Sequence, residues 1–204
     1  MAPFVVLVSG IPRAGKSSFA DALEESDLNL THVPLDKYIM AVPPGESFLG
    51  WVRNPSCIDW PVLEEHMKVL FAGRPCYTPR PDWKRDGHRA CEGGEIENGL
   101  GRRMSPSGSG CVVAGTHSFS LPDTGRERVT VWVDTPDEAL ASRFEKRPVT
   151  EAESKGILRR HLEDNDVPLR ALEAQADLTV SGTASHANQI AALELYLLRA
   201  GLIG

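Results

Sequence analysis

The sequence is short of the features that mark membrane, secreted and nucleic-acid-binding proteins. No apolar stretch is long enough to span a membrane, and the first residues lack the basic region that opens a secretory signal. The four cysteines show no C-x-x-C spacing, which predicts reduced thiols rather than a disulfide framework or a zinc site. A net charge of −6 disfavours a nucleic-acid partner held through its phosphates. A cytoplasmic protein is therefore expected.

Length and composition fit one globular domain. The chain has 204 residues, of which 41% are hydrophobic and 25% charged, enough to bury a sizeable core. No internal repeat and no second domain are evident. We therefore predict a single domain over residues 1–204.

Apolar segments alternate with helical patterns along the chain. The segments predicted to be strands are 4–8, 30–35, 111–115, 129–133 and 176–182. The segments predicted to be helices are 16–25, 61–73, 135–147 with Thr135 as N-cap, one opened by a capping box at Thr150 and Glu153, and 187–200. Pro34 cannot donate to a strand ladder, so the second strand should lie at a sheet edge. This order predicts an α/β fold, a five-stranded parallel sheet covered by helices on both faces.

The stretch "SGIPRAGKSS" follows the first predicted strand and leads into the first predicted helix. It contains G-x-x-x-x-G-K-S, the pattern of a P-loop, whose glycines let the backbone wrap around phosphates at a helix N-terminus. Lys16 would reach the β- and γ-phosphates, and the Ser17 hydroxyl would hold Mg²⁺. The predicted nucleotide-binding residues are Gly10, Ile11, Pro12, Arg13, Ala14, Gly15, Lys16, Ser17 and Ser18.

Asp36 follows the second predicted strand, at the carboxyl end where ligands bind in open α/β sheets. A kinase needs a carboxylate there to accept or orient the proton of an attacking hydroxyl and to help hold Mg²⁺. The alternative is that Asp36 is a solvated turn residue with no catalytic role. We predict a catalytic and metal-holding role for Asp36.

Taken together with segments further along the chain, these motifs resemble the uridine kinase, pantothenate kinase and phosphoribulokinase group of P-loop kinases. The resembling segments, in order, are the P-loop, the strand ending in Asp36, "IDWPVLEEHMKVLFAGRP", "YTPRPDWKRDGHR", "VTVWVDTPDEALASRFEKR" and "ADLTV". The resemblance implies a three-layer P-loop NTPase fold of the nucleoside and nucleoside monophosphate kinase type, with a small helical lid at about 143–165. It also implies ATP with Mg²⁺, and a small-molecule acceptor as partner, with a homodimer left open.

The chain departs from that group at the acceptor side. The third strand of the group ends in Glu-Gly, whereas this chain reads Ala114-Gly115-Thr116-His117 there. His117 lies near the place of the missing glutamate, with a structural role as the alternative to acceptor contact. The phosphate site is untouched by these departures.

Arginines on the predicted fourth helix suit a phosphoryl-transfer site. Arg143 and Arg147 are four residues apart and so face the same way, where they could clamp phosphate oxygens. Ordinary surface arginines are the alternative. We predict a catalytic role for both.

Two aspartates are candidates for the acceptor site. Asp59 precedes Trp60-Pro61 and a helix, which makes it a good N-cap, while the resemblance makes it a ligand for acceptor hydroxyls. Asp82, before Trp83, has the same two interpretations. The predicted acceptor-binding residues are Asp36, Asp59, Asp82 and His117.

These features predict a kinase that transfers the γ-phosphate of ATP to a hydroxyl of a nucleoside, sugar or vitamin-like molecule. A nucleoside monophosphate kinase or an antibiotic phosphotransferase is the alternative among enzymes. A nucleotide-dependent switch without phosphotransfer is the alternative of another class, although the N-K-x-D tetrapeptide of GTPases is absent.

Overall fold

The computed structural model describes residues 2–79, 101–146 and 169–204. Its strands, numbered in chain order, are β1 (Phe4–Ser9), β2 (Thr31–Pro34), β3 (Cys76–Tyr77), β4 (Arg103–Met104), β5 (Gly110–Ala114), β6 (Arg128–Asp134) and β7 (Leu178–Ser181). Its helices are α1 (Lys16–Glu25), α2 (Phe48–Trp51), α3 (Trp60–Phe71), α4 (Asp137–Lys146) and α5 (His186–Arg199). The predicted strands all form, and so do the predicted helices that lie within the described residues. Their ends move by one or two residues, except that α1 matches its prediction residue for residue.

A five-stranded sheet with the order β2-β5-β1-β6-β7 forms the centre of the molecule. All its neighbouring strands pair in parallel. The central strand β1 is buried along all six residues, as its continuous apolar run predicts. A separate antiparallel pair joins β3 to β4.

The edge position predicted for the second strand is confirmed. In the sheet, β2 pairs only with β5 and stands at one end of the strand order. Pro34 lies in β2, where its missing N–H removes no bond to a further strand.

Two apolar cores lie on opposite faces of the sheet. Alternate residues of β1 divide between them, because successive side chains of a strand point to opposite faces. On one face, Val6 and Val8 pack with residues of α1 and α5, among them Leu23 and Leu193. The α3 residues Leu63 and Met67 pack on the other face with alternate β1 residues. Helices on both faces give the predicted three-layer α/β fold.

Thr135 differs from its predicted role. The structure begins α4 at Asp137, one residue later than an N-cap at Thr135 would require. The Thr135 side chain is fully buried and its hydroxyl donates to the carbonyl of Ala14, 2.9 Å away. The local pattern of Thr-Pro-Asp gave no sign that the P-loop would lie against this hydroxyl.

Several predictions fall on residues outside the described part of the chain. These are Arg147, Asp82, the capping box of Thr150 and Glu153, and most of the lid predicted at about 143–165. Within the residues that are described, none of the helices combines the length and the apolar character needed to cross a membrane.

Candidate active site

The P-loop turns from β1 into α1 through backbone conformations that glycine allows. Gly10 has φ of 152° and Gly15 has φ of 106°, both in the region that L side chains rarely adopt. A Cβ on Gly10 would lie 2.7 Å from the carbonyl oxygen of Val133. The α1 helix then begins at Lys16, so its first N–H groups face the loop, the arrangement that binds phosphate.

Lys16 is held against the loop it belongs to. Its Nζ atom donates to the carbonyl oxygens of Gly10 at 2.9 Å and Ile11 at 2.8 Å. The residue is only 9% exposed. Burial lowers the pKa of Lys16 to about 8, and the negative charge of Asp36 opposes that shift. A partly desolvated ammonium beside unpaired helix N–H groups fits a strongly anionic ligand.

Arg143 connects the P-loop to the turn after β7. Its guanidinium donates to the carbonyl oxygens of Arg13, Ala14 and Gly182, at 3.0, 2.8 and 2.6 Å respectively. In return, Arg13 donates to the Arg143 carbonyl at 3.0 Å. Arg143 therefore braces the loop through its backbone, and it also lines the cavity beside the loop.

Two cavities open on the P-loop. The first, called here the P-loop cavity, has a volume of about 430 Å³. It is lined by Arg13, Gly15, Lys16, Ser17, Ser18, Arg143, Gly182, His186 and Gln189. The second, called here the strand-end cavity, has a volume of about 320 Å³ and lies at the carboxyl ends of β2 and β5. Its lining includes Asp36, Ile39, Val52, Arg53, Cys57, Ile58, Thr116 and His117. Lys16 and Ser17 belong to both cavities.

Asp36 stands in a single 3-10 turn, Leu35–Tyr38, that follows β2. Its carboxylate is more than half exposed and lies 3.5 Å from the Lys37 ammonium. Beneath it, the buried Leu35 side chain packs so close to Gly115 that a Cβ there would lie 2.5 Å from the Leu35 Cβ. This close approach brings the ends of β2 and β5 to the same cavity.

Tyr38 ties that turn to α3. Its hydroxyl lies 2.9 Å from the Nδ1 atom of His66, and both residues are buried. Burial lowers the pKa of His66, which favours the neutral ring. Sequence reasoning assigned His66 no role, because residues 28 positions apart show no pattern that would pair them.

His117 lies just after β5 and lines the strand-end cavity. Its Nε2 atom is 2.8 Å from the Val52 carbonyl oxygen, and the residue is 8% exposed. Burial lowers the pKa of His117, the positive charge of Lys16 lowers it further, and the bond to Val52 acts in the opposite direction. The preceding carbonyl, that of Thr116, accepts a hydrogen bond from Ser9 at the end of β1.

Asp59 takes the N-cap position of α3. Its carboxylate accepts from the backbone N–H of Val62 at 3.3 Å, so the prediction of a cap is confirmed. In this stretch the wall of the strand-end cavity includes Cys57 and Ile58. A ligand role for Asp59 stays a prediction, as it does for Asp82.

Sequence reasoning missed several residues of these cavities. Arg53 and Thr116 line the strand-end cavity, and His186 and Gln189 line the P-loop cavity. Arg53 and Thr116 are in loops, and the other two are in the first turn of a helix. Of these, only Thr116 carried a signal in the sequence, its place directly after a predicted strand.

Comparison with known proteins agrees with this architecture. A family model described as AAA domain matches residues 6–167. Among solved structures, a protein provisionally assigned as a fructose transport system kinase from Silicibacter sp. TM1040 is 23% identical, with a TM-score of 0.59 over 88% of this chain and 90% of that one. A shikimate kinase from Bacteroides thetaiotaomicron is 13% identical, with a TM-score of 0.52 over 97% of this chain and 98% of that one. No curated protein sequence matches the chain. These likenesses show the fold of P-loop kinases.

Proposed function

This chain belongs to the AAA domain family, whose model covers residues 6–167, and from that premise we propose that it is an ATP-dependent kinase. It transfers the γ-phosphate of ATP, with Mg²⁺, to a hydroxyl group of a small metabolite. Both structural relatives named above carry the word kinase in their descriptions, which supports the reaction type.

The observation that carries the proposal is the meeting of two cavities at Lys16 and Ser17. A phosphoryl transfer needs one pocket for the nucleotide and another for the acceptor, with the transferred group between them. The P-loop cavity has the phosphate-binding backbone, and the strand-end cavity has the exposed carboxylate of Asp36. Lys16 stands where the γ-phosphate would pass from one to the other.

The residues at this junction fit Mg²⁺. The Ser17 hydroxyl and the Asp36 carboxylate line the same cavity and are hard oxygen ligands of the kind Mg²⁺ takes. In the described ranges there is no cluster of three His, Cys, Asp or Glu side chains that could hold a metal ion. The ion would therefore share its ligands between these two residues and the phosphates, and when bound it would neutralise phosphate charge.

Asp36 would accept or orient the proton of the acceptor hydroxyl. The hydroxyl oxygen forms a bond to the γ-phosphorus, while the bond from that phosphorus to the β–γ bridging oxygen breaks and ADP leaves with its electron pair. The hydroxyl proton passes to the Asp36 carboxylate and from there to solvent. Lys16 stabilises the charge that develops on the phosphate oxygens. We extend the same role to Arg143 and Arg147, which would act from α4 and the predicted lid.

The acceptor is proposed to be a nucleoside, a sugar or a vitamin-like molecule. Asp59, Asp82 and His117 are its proposed hydrogen-bond partners besides Asp36. One observation favours the alternative of a nucleoside monophosphate: Arg53 lines the strand-end cavity, and a guanidinium there suits a negatively charged acceptor.

An ADP-release screen tests the proposal. Each candidate acceptor is added together with MgATP, and Lys16→Ala serves as the control. The candidates are uridine, D-fructose, D-gluconate, shikimate, pantothenate, an aminocyclitol and uridine monophosphate. We expect ADP release that depends on one acceptor and is lost in Lys16→Ala. MgATP binding without release for any acceptor would favour a nucleotide-dependent switch instead. Undiminished turnover in Lys16→Ala would contradict the P-loop assignment.

A further inference from the structure

The amide of Gln189 is buried in the wall of the P-loop cavity with only one of its polar atoms paired. Its Nε2 atom donates to the Ser181 carbonyl oxygen at 2.7 Å. Its Oε1 atom is buried and has no hydrogen-bond partner among the residues that the structure describes. The residue as a whole is 4% exposed. Such atoms are rare in native proteins, and a ligand that donates a hydrogen bond would satisfy this one.

The orientation of this amide is fixed by its partner. A backbone carbonyl can only accept, so the nitrogen of the Gln189 side chain must face Ser181. A flip would place two oxygens against each other and lose the bond. The atom left over is therefore an acceptor, and it cannot turn into a donor to suit a different ligand.

Two backbone carbonyl groups at the end of β7 already accept hydrogen bonds. The Ser181 carbonyl accepts from Gln189, and the Gly182 carbonyl accepts from Arg143 at 2.6 Å. This leaves the Gln189 Oε1 atom as an acceptor without a donor on this side of the P-loop cavity.

Gln189 shares the P-loop cavity with the phosphate-binding residues. It belongs to the first turn of α5, while Ser17 and Ser18 belong to the first turn of α1, and all three line the P-loop cavity. A nucleotide with its phosphates on the α1 side would extend its base toward the α5 side, where His186 and Gln189 lie.

We infer that Gln189 is a specificity-determining residue for the nucleotide, whose Oε1 atom accepts a hydrogen bond from the 6-amino group of adenine. A purine with an oxygen at that position presents an acceptor to an acceptor and is bound more weakly. This inference rests on the proposed function, since the phosphates of the same nucleotide must lie on the P-loop.

Binding of ATP and of inosine triphosphate (ITP) tests the inference, because the two differ only at the N1–C6 edge of the purine: ATP has an amino donor on C6 and an unprotonated N1, whereas ITP has an oxygen acceptor on C6 and a hydrogen on N1. Calorimetric titration with Mg²⁺ is expected to give a Kd for ATP about tenfold lower than for ITP in the wild-type protein. In Gln189→Met, which keeps the length but neither polar atom, the two Kd values should become nearly equal. Gln189→Leu, which also removes both polar atoms at a similar volume, should abolish the preference for ATP in the same way.

The possible results separate the inference from the function on which it rests. Equal binding of ATP and ITP by the wild type, or an unchanged preference in Gln189→Met, overturns the role of Gln189 while nucleotide binding stands. If Gln189→Met does not fold, Gln189→Leu decides, and a preference for ATP that survives in the folded variant overturns the inference. Nucleotide binding that is absent, or unaffected by Lys16→Ala, overturns the proposed function and the inference with it.

Discussion

The Nε2 atom of His117 lies 2.8 Å from the carbonyl oxygen of Val52, so a residue just after β5 holds a loop residue that lines the strand-end cavity. Since the carbonyl can only accept, Nε2 carries the hydrogen. The neutral ring is then left with an unprotonated Nδ1 atom that can accept a hydrogen bond. The structure thereby gives His117 one bond to the protein and one free acceptor.

Two substitutions of His117 should separate these two bonds. Gln can reach the Val52 carbonyl as Nε2 does, whereas Asn places its polar atoms near the position of Nδ1. If Nδ1 contacts the acceptor, His117→Gln should raise the acceptor KM about tenfold, as loss of one hydrogen bond implies, with the KM for ATP unchanged. His117→Asn should instead weaken protection of amides around Val52 from hydrogen exchange. An unchanged acceptor KM in His117→Gln would leave His117 a purely structural residue.

Lys16 should make both nucleotide binding and stability depend on pH. Burial lowers the pKa of Lys16 to about 8, below its ordinary value of 10.5, and a bound triphosphate should raise it again. At pH 8 the triphosphate itself is already ionised, so binding should take up protons, and affinity should fall as the pH rises further. Calorimetry in two buffers of different ionisation enthalpy measures this uptake, which Lys16→Met should remove.

The unliganded protein should respond to pH in the opposite sense. Between pH 8 and 10.5 the unfolded chain retains the Lys16 proton that the folded protein has lost. The free energy of unfolding should therefore gain a contribution from Lys16 as the pH rises through this window. Urea unfolding at pH 7.5 and 9.5, compared between wild type and Lys16→Met, checks the sign.

Asp36→Asn should lower kcat by about 100-fold or more, because the amide keeps the size of the carboxylate but cannot accept a proton. ATP affinity should change much less. Asp27→Asn, at another exposed aspartate, is a matched control that should leave both constants unaltered. Equal losses in ATP binding and in kcat would indicate that Asp36 only helps to hold Mg²⁺ and does not accept the proton.

Arg143→Lys should loosen the P-loop. An ammonium cannot span the three carbonyl oxygens that the guanidinium bonds, so about 2 kcal/mol of stability should be lost. ATP affinity should fall as well, since the loop is less preorganised. Chemical denaturation and ATP titration measure the two effects, with the exposed Arg199→Lys as control. Wild-type stability in Arg143→Lys would contradict this bracing role.

Asp59 can be tested as a cap and as a ligand separately. Asp59→Ala should cost about 1 kcal/mol because α3 loses its N-cap, while Asp59→Asn should keep most of that stability. If Asp59 also binds the acceptor through its charge, Asn will restore the Tm but not the acceptor KM. Recovery of both by Asn would make Asp59 a cap alone.

The sequence by itself determined the parts of the molecule that depend on neighbours in the chain. The apolar run of β1, the glycines after it and the helix from Lys16 lie within about two dozen consecutive residues, and their order alone predicts a phosphate site. Pro34 likewise placed β2 at the edge, because a missing N–H is a local property. The N-cap role of Asp59 was predictable for the same reason, because the N–H group that it caps is only three residues away in the chain.

Only the tertiary structure decided which distant residues meet. His117 and Val52 are 65 positions apart, Arg143 and Arg13 are 130 apart, and Tyr38 and His66 are 28 apart. No periodicity encodes such pairs, because their proximity follows from the strand order β2-β5-β1-β6-β7 and from the helices packed on it. The bond from Gln189 to Ser181 spans only eight positions, yet it too depends on how α5 turns back over the end of β7. The phosphate site is thus determined by residues that are neighbours in the chain, whereas the surroundings that select its ligands depend on how distant segments pack.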